Sequence, residues 1–176
     1  MNDSPFAYNL MVTTYRIEDI FHRPGRQLEG FGIREGDTGV DYGCGPGRYL
    51  KTASHLVGAR GRVYAADVSL IALEHVQKRI QKECLTNIVP YLIADDACGI
   101  PGGCADVIYA LDMFHRIGEP GAFFTELRRI IKPAGTLYLK DGRQTRRATL
   151  EKVQASPLWD IAEEKPGYVV LQPQMH

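Results

Sequence analysis

The chain has 176 residues, of which 44% are hydrophobic and 24% are charged, and its 21 basic residues balance its 21 acidic ones. This composition is typical of one globular domain, and it excludes an overall positive field that would attract nucleic acid or an anionic membrane. No stretch approaches the ~18 apolar residues of a membrane span, and the N-terminus has no uninterrupted apolar segment like that of a secretory signal. We therefore expect a cytoplasmic protein without a membrane span.

The cysteines lie at positions 44, 84, 98 and 104, and they form no CxxC pair. Their spacing to the five histidines also differs from that of zinc sites. These positions predict reduced thiols, as in the cytoplasm, and no metal site. The oligomeric state is not predicted by any feature of the sequence.

In chain order, short apolar or β-branched runs alternate with helical patterns. The runs that predict strands lie at residues 38–42, 62–66, 88–94, 105–111 and 135–140. Short strands linked by helices favour a mostly parallel sheet that is covered by helices on both faces.

Two of the intervening helices have clear signals in the sequence. Ser69 is a suitable N-cap, and apolar residues follow at helical spacing at positions 70, 73, 76 and 80. A helix of about fourteen residues is expected there, with those residues facing inward and Arg79 facing outward between two lysines. In the second helix, Pro120 suits the first turn, and Pro133 is expected to end the helix before Gly135.

The stretch "VDYGCGPGRYL" places three glycines between the first predicted strand and a helix. Gly43 and Gly45 can adopt backbone conformations closed to other residues and let a ligand approach, while Gly47 allows the helix to pack tightly on the strand. A bare strand-to-helix turn would need one glycine rather than three. A dinucleotide fingerprint, GxGxxG, would require a sixth-position glycine where this chain has Arg48, so NAD is disfavoured.

With Asp41 in front of it, the pattern Asp-x-Gly-x-Gly-x-Gly resembles the first motif of the class I S-adenosylmethionine-dependent methyltransferases. "VYAADVS" places Asp67 where that family has the acidic residue that binds the ribose hydroxyls. "ADDACGIP" resembles a further family segment, which implies that Asp96, rather than Asp95, accepts the adenine amino group. The backbone N–H of Ala97 would contact the ring. The resemblance also implies cofactor contacts at Cys44, Val68 and Leu111.

The resemblance covers residues 24–141 approximately and implies a Rossmann-like α/β fold. Its seven-stranded sheet would have the order 3-2-1-4-5-7-6, with the seventh strand antiparallel and helices on both faces. "LWDIAEEKPGYVVLQPQ" is typical of two strands joined by a hairpin turn, as this order requires at its end. We expect residues 1–37 to form a helical lid segment and residues 38–176 to form the cofactor-binding domain.

By this resemblance, the protein moves a methyl group from S-adenosylmethionine to a nucleophile by in-line displacement and releases S-adenosylhomocysteine. A small-molecule acceptor is expected, because the basic cluster at residues 143–147 is not interleaved with aromatic residues as a nucleic-acid site would be. The alternative is a non-catalytic S-adenosylmethionine-binding regulatory or partner subunit with the same fold.

The active-site rim is expected on the loops after the fourth and fifth strands and on the N-terminal segment. His115 is the candidate general base, because an unperturbed imidazole titrates near neutral pH. Asp112 and Tyr15 are the other catalytic candidates, and further rim residues are predicted at Arg16, Phe21, His22, Phe114, Lys140 and Asp141. Cys98 and Cys104 could bind a metalloid acceptor, as in the arsenic methyltransferases, although both are expected to be small packing residues.

Overall fold

The computed structural model describes residues 24–94 and 97–174. Seven strands in these residues form one central sheet, and a two-residue strand, Ala97–Cys98, extends its edge. The seven are β1 (Thr38–Tyr42), β2 (Arg62–Asp67), β3 (Ile88–Ala94), β4 (Ala105–Ala110), β5 (Ile131–Lys140), β6 (Trp159–Lys165) and β7 (Tyr168–Pro173).

The seven strands have the spatial order 3-2-1-4-5-7-6, and the two-residue strand pairs antiparallel with the end of β3. Neighbours from β3 to β5 are parallel, whereas β7 runs antiparallel to both β5 and β6. The predicted α/β fold and sheet order are therefore confirmed. Parallel strands end at one edge of the sheet, so the loops after β1, β2, β4 and β5 are brought together there.

Helices cover both faces of the sheet. They are α1 (Leu50–Val57), α2 (Leu70–Glu83), α3 (Pro120–Ile130) and α4 (Arg146–Gln154), with 3-10 helices at Pro24–Gly30 and Phe114–Arg116. One buried core contains apolar residues of α1 and α2, and the second contains those of α3 and α4. None of the helices in the described ranges combines the length and apolar character needed to cross a bilayer.

Helix α2 begins as its sequence predicts and differs in which residues it buries. Ser69 accepts a hydrogen bond from the backbone N–H of Ala72, and the helix has 14 residues. Leu70, however, is 65% exposed, so its predicted inward position is wrong. The reason is its place in the first turn of the helix, three residues after β2 ends at Asp67.

Helix α3 ends earlier than Pro133, which was predicted to end it. Pro120 occupies the first turn as expected, but the helix stops at Ile130 and β5 starts at Ile131. The β4–β5 register then shifts, so that residues 132–135 form a bulge opposite Asp106. A bulge accepts Pro133, which has no N–H to donate to the ladder.

Residues 24–37, the described part of the predicted lid segment, pack against the sheet. Leu28 and Phe31 are buried, and the Phe31 ring stacks on Tyr138 of β5 at a centroid distance of 4.0 Å. The packed body of the domain therefore extends N-terminal to residue 38. Residues 1–23 lie outside the described part of the chain, so a lid role for them stays a prediction.

Candidate functional site

The turn between β1 and α1 leaves open space above its central glycine. The N–H groups of Gly43 and Cys44 both donate to the Ala66 carbonyl oxygen, at 2.8 and 3.0 Å, which fixes the turn to β2. Gly45 has φ +51°, and a Cβ built there would have no neighbouring atom within 4 Å. The left-handed backbone favours glycine, and the open space is available to a ligand.

Gly47 is required for a different reason, the close packing of the turn on α1. A Cβ at this position would lie 2.7 Å from Cδ1 of Leu50, and its φ is +78°. This contact agrees with the packing role predicted for Gly47. Gly43 also has a neighbour, Met113, in the loop after β4.

Arg79, a residue of α2, makes a hydrogen bond to the backbone of this turn. Arg79 donates from Nη1 to the Gly47 carbonyl oxygen at 2.7 Å, and its Nε lies 3.5 Å from Oε1 of Glu83. The predicted outward orientation of Arg79 is therefore wrong, because the helix passes close enough to the turn for the long side chain to reach it. Residues 47 and 79 are 32 positions apart, so no local signal could have indicated this contact.

Asp67, at the end of β2, joins the glycine turn to the start of α2. Its Oδ2 accepts the Gly45 N–H at 2.8 Å, and its Oδ1 accepts the Ser69 N–H at 2.9 Å. Burial raises the pKa of this carboxyl group, while these two backbone hydrogen bonds act in the opposite direction. The Val68 backbone N–H also acts on this carboxylate. Because a carboxylate can accept about four hydrogen bonds, some acceptor capacity remains for a ligand.

Exposed apolar side chains surround the Asp67 carboxylate. Val68 is 73% exposed and Leu70 65%, and Leu92, the register partner of Asp67 on β3, is 40% exposed. Apolar surface near a carboxylate suits a ligand with an apolar part and adjacent hydrogen-bond donors. Val68 was predicted from the sequence. Leu70 and Leu92 were missed, because exposure is decided by where the sheet ends.

Asp41 is a buried carboxylate in β1, below the turn. It is 1% exposed, and its Oδ2 has no hydrogen-bond partner among the described residues. Burial first, and the nearby Asp67 second, raise its pKa well above the ordinary value. The hydroxyl of Tyr109, its register partner on β4, has no partner within the described ranges either. Unpaired buried polar groups are costly, so this position suits a ligand that brings donors or positive charge.

Asp112 lies at the meeting point of three loops. It has φ +63°, an uncommon conformation for a residue other than glycine. Its Oδ2 accepts from the Tyr49 hydroxyl at 3.3 Å, and its Oδ1 lies 3.0 Å from Nζ of Lys140. Burial and the charge of Asp112 raise the pKa of Tyr49, which therefore stays a hydrogen-bond donor. Tyr49 was missed from the sequence, because only the fold brings it to Asp112.

His115 lies in the 3-10 helix that follows β4 and packs against Gly142 in the loop after β5. Its Nδ1 is buried without a hydrogen-bond partner in the described part of the chain. Burial, followed by the charges of Arg116 and Arg143, lowers its pKa, and Asp112 opposes them. The imidazole is therefore neutral at pH 7.

The remaining residues predicted from the sequence lie in the core, at the edge of the sheet or outside the described residues. Leu111 is buried just beyond β4, and Cys44 is buried in the core with its Sγ 3.6 Å from the Gly45 carbonyl oxygen, so only the Cys44 backbone could contact a ligand. Ala97 lies in the edge strand beside β3. Asp96 and Tyr15 lie outside the described residues, as do Asp95, Arg16, Phe21 and His22.

The two cysteines considered for a metalloid have packing roles. The Cys98 thiol donates to Oε1 of Glu126 at 3.4 Å, and burial raises its pKa to about 11. Burial raises the pKa of Cys104 as well. Protonated thiols are poor ligands, since the thiolate is the binding form. Within residues 24–94 and 97–174, no group of three His, Cys, Asp or Glu side chains is placed to hold a metal ion.

Residues 40–139 match the family model described as "Methyltransferase domain". The chain belongs to this family. It is 26% identical over 149 residues to the ubiquinone/menaquinone biosynthesis C-methyltransferase of a Shewanella strain, an alignment that covers 83% of this chain and 59% of that relative. The chain thus spans less than two thirds of the length of this curated relative.

Two solved structures share the fold. A SAM-dependent methyltransferase from Aquifex aeolicus has a TM-score of 0.79 at 23% identity, with 98% of each chain covered. Geranyl diphosphate C-methyltransferase from Streptomyces coelicolor, solved with S-adenosyl-L-homocysteine, has a TM-score of 0.65 at 15% identity, with 77% of this chain and 56% of that chain covered. The predicted methyltransferase family is confirmed, and the cofactor predicted for this chain is S-adenosylmethionine.

The residues present fit this cofactor. A nucleoside suits the open turn at Gly45, the remaining acceptor capacity of Asp67 and the exposed apolar surface near it. The unpartnered buried oxygen of Asp41 suits the positively charged part of the molecule.

Replacing Arg79 tests whether cofactor binding at the turn depends on the hydrogen bond from Arg79 of α2 to Gly47. In Arg79→Met the Gly47 carbonyl oxygen loses its charged donor, and we expect the dissociation constant for S-adenosylmethionine to rise about tenfold, the effect of a hydrogen bond to a charged group. Calorimetric titration measures it. Lys78→Met, on an exposed position of the same helix, is the control and should bind normally. Equal affinities of the two variants would contradict a positioning role for Arg79.

Proposed function

We propose that this chain catalyses methyl transfer from S-adenosylmethionine to a nucleophilic small molecule. The observation that carries the proposal is the position of Asp67, whose carboxylate joins the open glycine turn to α2 beside exposed apolar surface. When bound, the cofactor supplies an electrophilic methyl group on a sulfonium. The chain's own residues bind the donor, orient the acceptor and exclude water.

Three groups of residues hold the donor in this proposal. Asp67 accepts hydrogen bonds from the ribose, and the apolar side chains of Val68, Leu70 and Leu92 cover the adenine. The open space above Gly45 and the Asp41 carboxyl group receive the remainder of the molecule. Contacts from Asp96, Ala97 and Leu111 to the adenine side stay proposals that follow from the family resemblance.

The acceptor lies between the loops after β4 and β5. Asp112 is held by Tyr49 and Lys140, so its carboxylate is oriented to accept a hydrogen bond from the acceptor. His115 is neutral at pH 7 and can take a proton through Nε2 as the acceptor attacks. Tyr15, from the N-terminal segment, would complete the walls of the acceptor site in this proposal.

A small acceptor is supported by the pairing of the basic cluster at residues 143–147. Arg146 is paired with Asp141 at 2.8 Å and also with Glu164, and Arg147 is paired with Glu151 at 2.8 Å. Paired arginines contribute little to phosphate-backbone binding, so the surface is not suited to nucleic acid. The Shewanella relative is named for the biosynthesis of a small molecule, which agrees with this choice.

A cytoplasmic location is part of the proposal. All four cysteines are unpaired in the described residues, and Cys84 is exposed. Unpaired thiols agree with the reducing conditions of the cytoplasm.

The proposal is tested by binding and turnover with the same protein. We expect calorimetry to give micromolar binding of S-adenosylmethionine and none of NAD, and pools of small acceptors to release S-adenosylhomocysteine. Binding without turnover in any pool would favour the alternative, a non-catalytic cofactor-binding subunit. Binding of NAD alone would contradict both.

A further inference from the structure

We propose that the methyl acceptor carries an oxyanion group, a carboxylate or a phosphate, which binds to Lys152 and Arg143 beside His115. This inference rests on the proposed function and names the chemical class of its substrate. It would make the two basic residues a substrate-binding subsite of the same active site.

Lys152 is a half-buried ammonium held only by neutral groups among the described residues. Its Nζ donates to the Ile117 carbonyl oxygen at 3.2 Å and to Oε1 of Gln144 at 3.1 Å, and it lies 5.1 Å from the centre of the Phe114 ring. An ammonium has three donors, so one remains. Charged groups that are partly removed from water are normally paired with an opposite charge, and an anionic ligand would supply it here.

The contacts of Lys152 place it at the active site. Ile117 is two residues after His115, and Phe114 is directly before it. Gln144 belongs to the loop after β5, in which Gly142 packs against the His115 ring. Lys152 therefore links the two loops between which the acceptor is proposed to bind.

Arg143 adds a second positive charge to this place. It is exposed, lies between Gly142 and Gln144, and forms no ion pair with any described carboxylate. Arg143 directly follows Gly142, which packs against the His115 ring, so the backbone of Arg143 lies beside the imidazole. The carboxylates of the rim are already engaged, Asp112 with Lys140 and Asp141 with Arg146.

An oxyanion suits this arrangement better than a neutral acceptor does. A carboxylate or phosphate accepts charge-assisted hydrogen bonds from both cations, and these bonds are stronger than neutral ones. Binding the anion at one end of a small molecule would also fix its nucleophilic end toward His115 and Asp112. The subsite thus provides orientation, on which methyl transfer depends.

The test uses three probes of similar shape: benzoate, phenyl phosphate and neutral benzamide. Each is titrated into the protein with S-adenosylhomocysteine bound, and the histidine ring signals are followed by NMR, with His115→Asn to assign the signal. We expect benzoate or phenyl phosphate to shift the His115 signal saturably and to raise its pKa, because a nearby anion favours the charged imidazole. Benzamide should have little effect. A carboxylate subsite would respond to benzoate, and a phosphate subsite to phenyl phosphate.

Substitutions at Lys152 separate charge from folding. Lys152→Gln keeps a donor for the Ile117 carbonyl oxygen but removes the charge, and we expect anion binding about tenfold weaker. Lys152→Arg keeps the charge and should bind the anion. Arg147→Gln, on an exposed position of the same helix and paired with Glu151, is the matched control and should behave like the unmodified protein.

The possible results are distinct. Equal effects of benzamide and benzoate, or equal anion affinity in Lys152→Gln and Arg147→Gln, would overturn the subsite. S-adenosylhomocysteine affinity, measured by calorimetry on the same samples, reports the proposed function independently. Failure of that binding would contradict the methyltransferase proposal, whereas normal cofactor binding without an anion response would overturn the subsite alone.

Discussion

Gly45→Val is expected to remove S-adenosylmethionine binding while the protein remains folded. The new side chain would point into the open space above the turn, where nothing lies within 4 Å of a Cβ, so it would clash with the ligand rather than with the chain. We expect the affinity to fall by at least ~100-fold, or about 2.7 kcal/mol. Calorimetry measures the binding, and circular dichroism measures the fold.

The same substitution also strains the backbone, because Gly45 has φ +51°. A β-branched residue in this region costs about 1–2 kcal/mol of stability. Gly103→Val is a matched control, since Gly103 has φ +60° and open surroundings but precedes β4, at the opposite edge of the sheet. Both variants should lose similar stability, and only Gly45→Val should lose binding. Native-like affinity in Gly45→Val would mean that the cofactor lies elsewhere.

His115→Asn is expected to lower kcat by about 100-fold with little change in cofactor affinity, the usual contribution of a general base. Asparagine retains hydrogen bonding but cannot accept a proton near neutral pH. His55→Asn, on an exposed position of α1, is the control and should leave turnover unchanged. A turnover rate within a few-fold of the unmodified enzyme would leave His115 with a packing role against Gly142.

The pH dependence gives a second measurement of the same role. Burial and the charges of Arg116 and Arg143 lower the pKa of His115, because each disfavours the charged imidazole. A His115 base would be active when neutral, so we expect the rate to fall as the pH drops through this lowered pKa, below the ordinary histidine value. An unperturbed histidine would place this acid limb near pH 6 to 7 instead. In His115→Asn this limb should be absent from the rate profile.

The strands and the glycine turn could be predicted from the sequence because their signals are local. Runs such as residues 38–42 and 88–94 match the observed strands residue for residue, and Ser69 caps its helix as expected. Asp41 and Asp67 followed from a motif in which chain order and spacing are enough. The sheet order came from the family resemblance rather than from periodicity, because pairing between distant strands leaves no local signal.

Asp112 and Lys140 were both predicted at the rim, but the contacts of Asp112 and Lys152 could not be predicted in this way. Tyr49 and Lys140 reach Asp112 only because the ends of β1, β4 and β5 meet at one edge of the sheet. Lys152 likewise contacts Ile117, which is 35 residues earlier in the chain.

By itself, the sequence determined most of the strands and the glycine turn, since each depends on residues close together in the chain, and the family, since its motifs are defined by their order and spacing along the chain. Only the tertiary structure decided which side chains surround the turn, that Leu70 is exposed and that Arg79 holds Gly47. The physical reason is that exposure, hydrogen bonding across elements and shifts of pKa depend on distances in space. Those distances are set by how the strands pair and the helices pack.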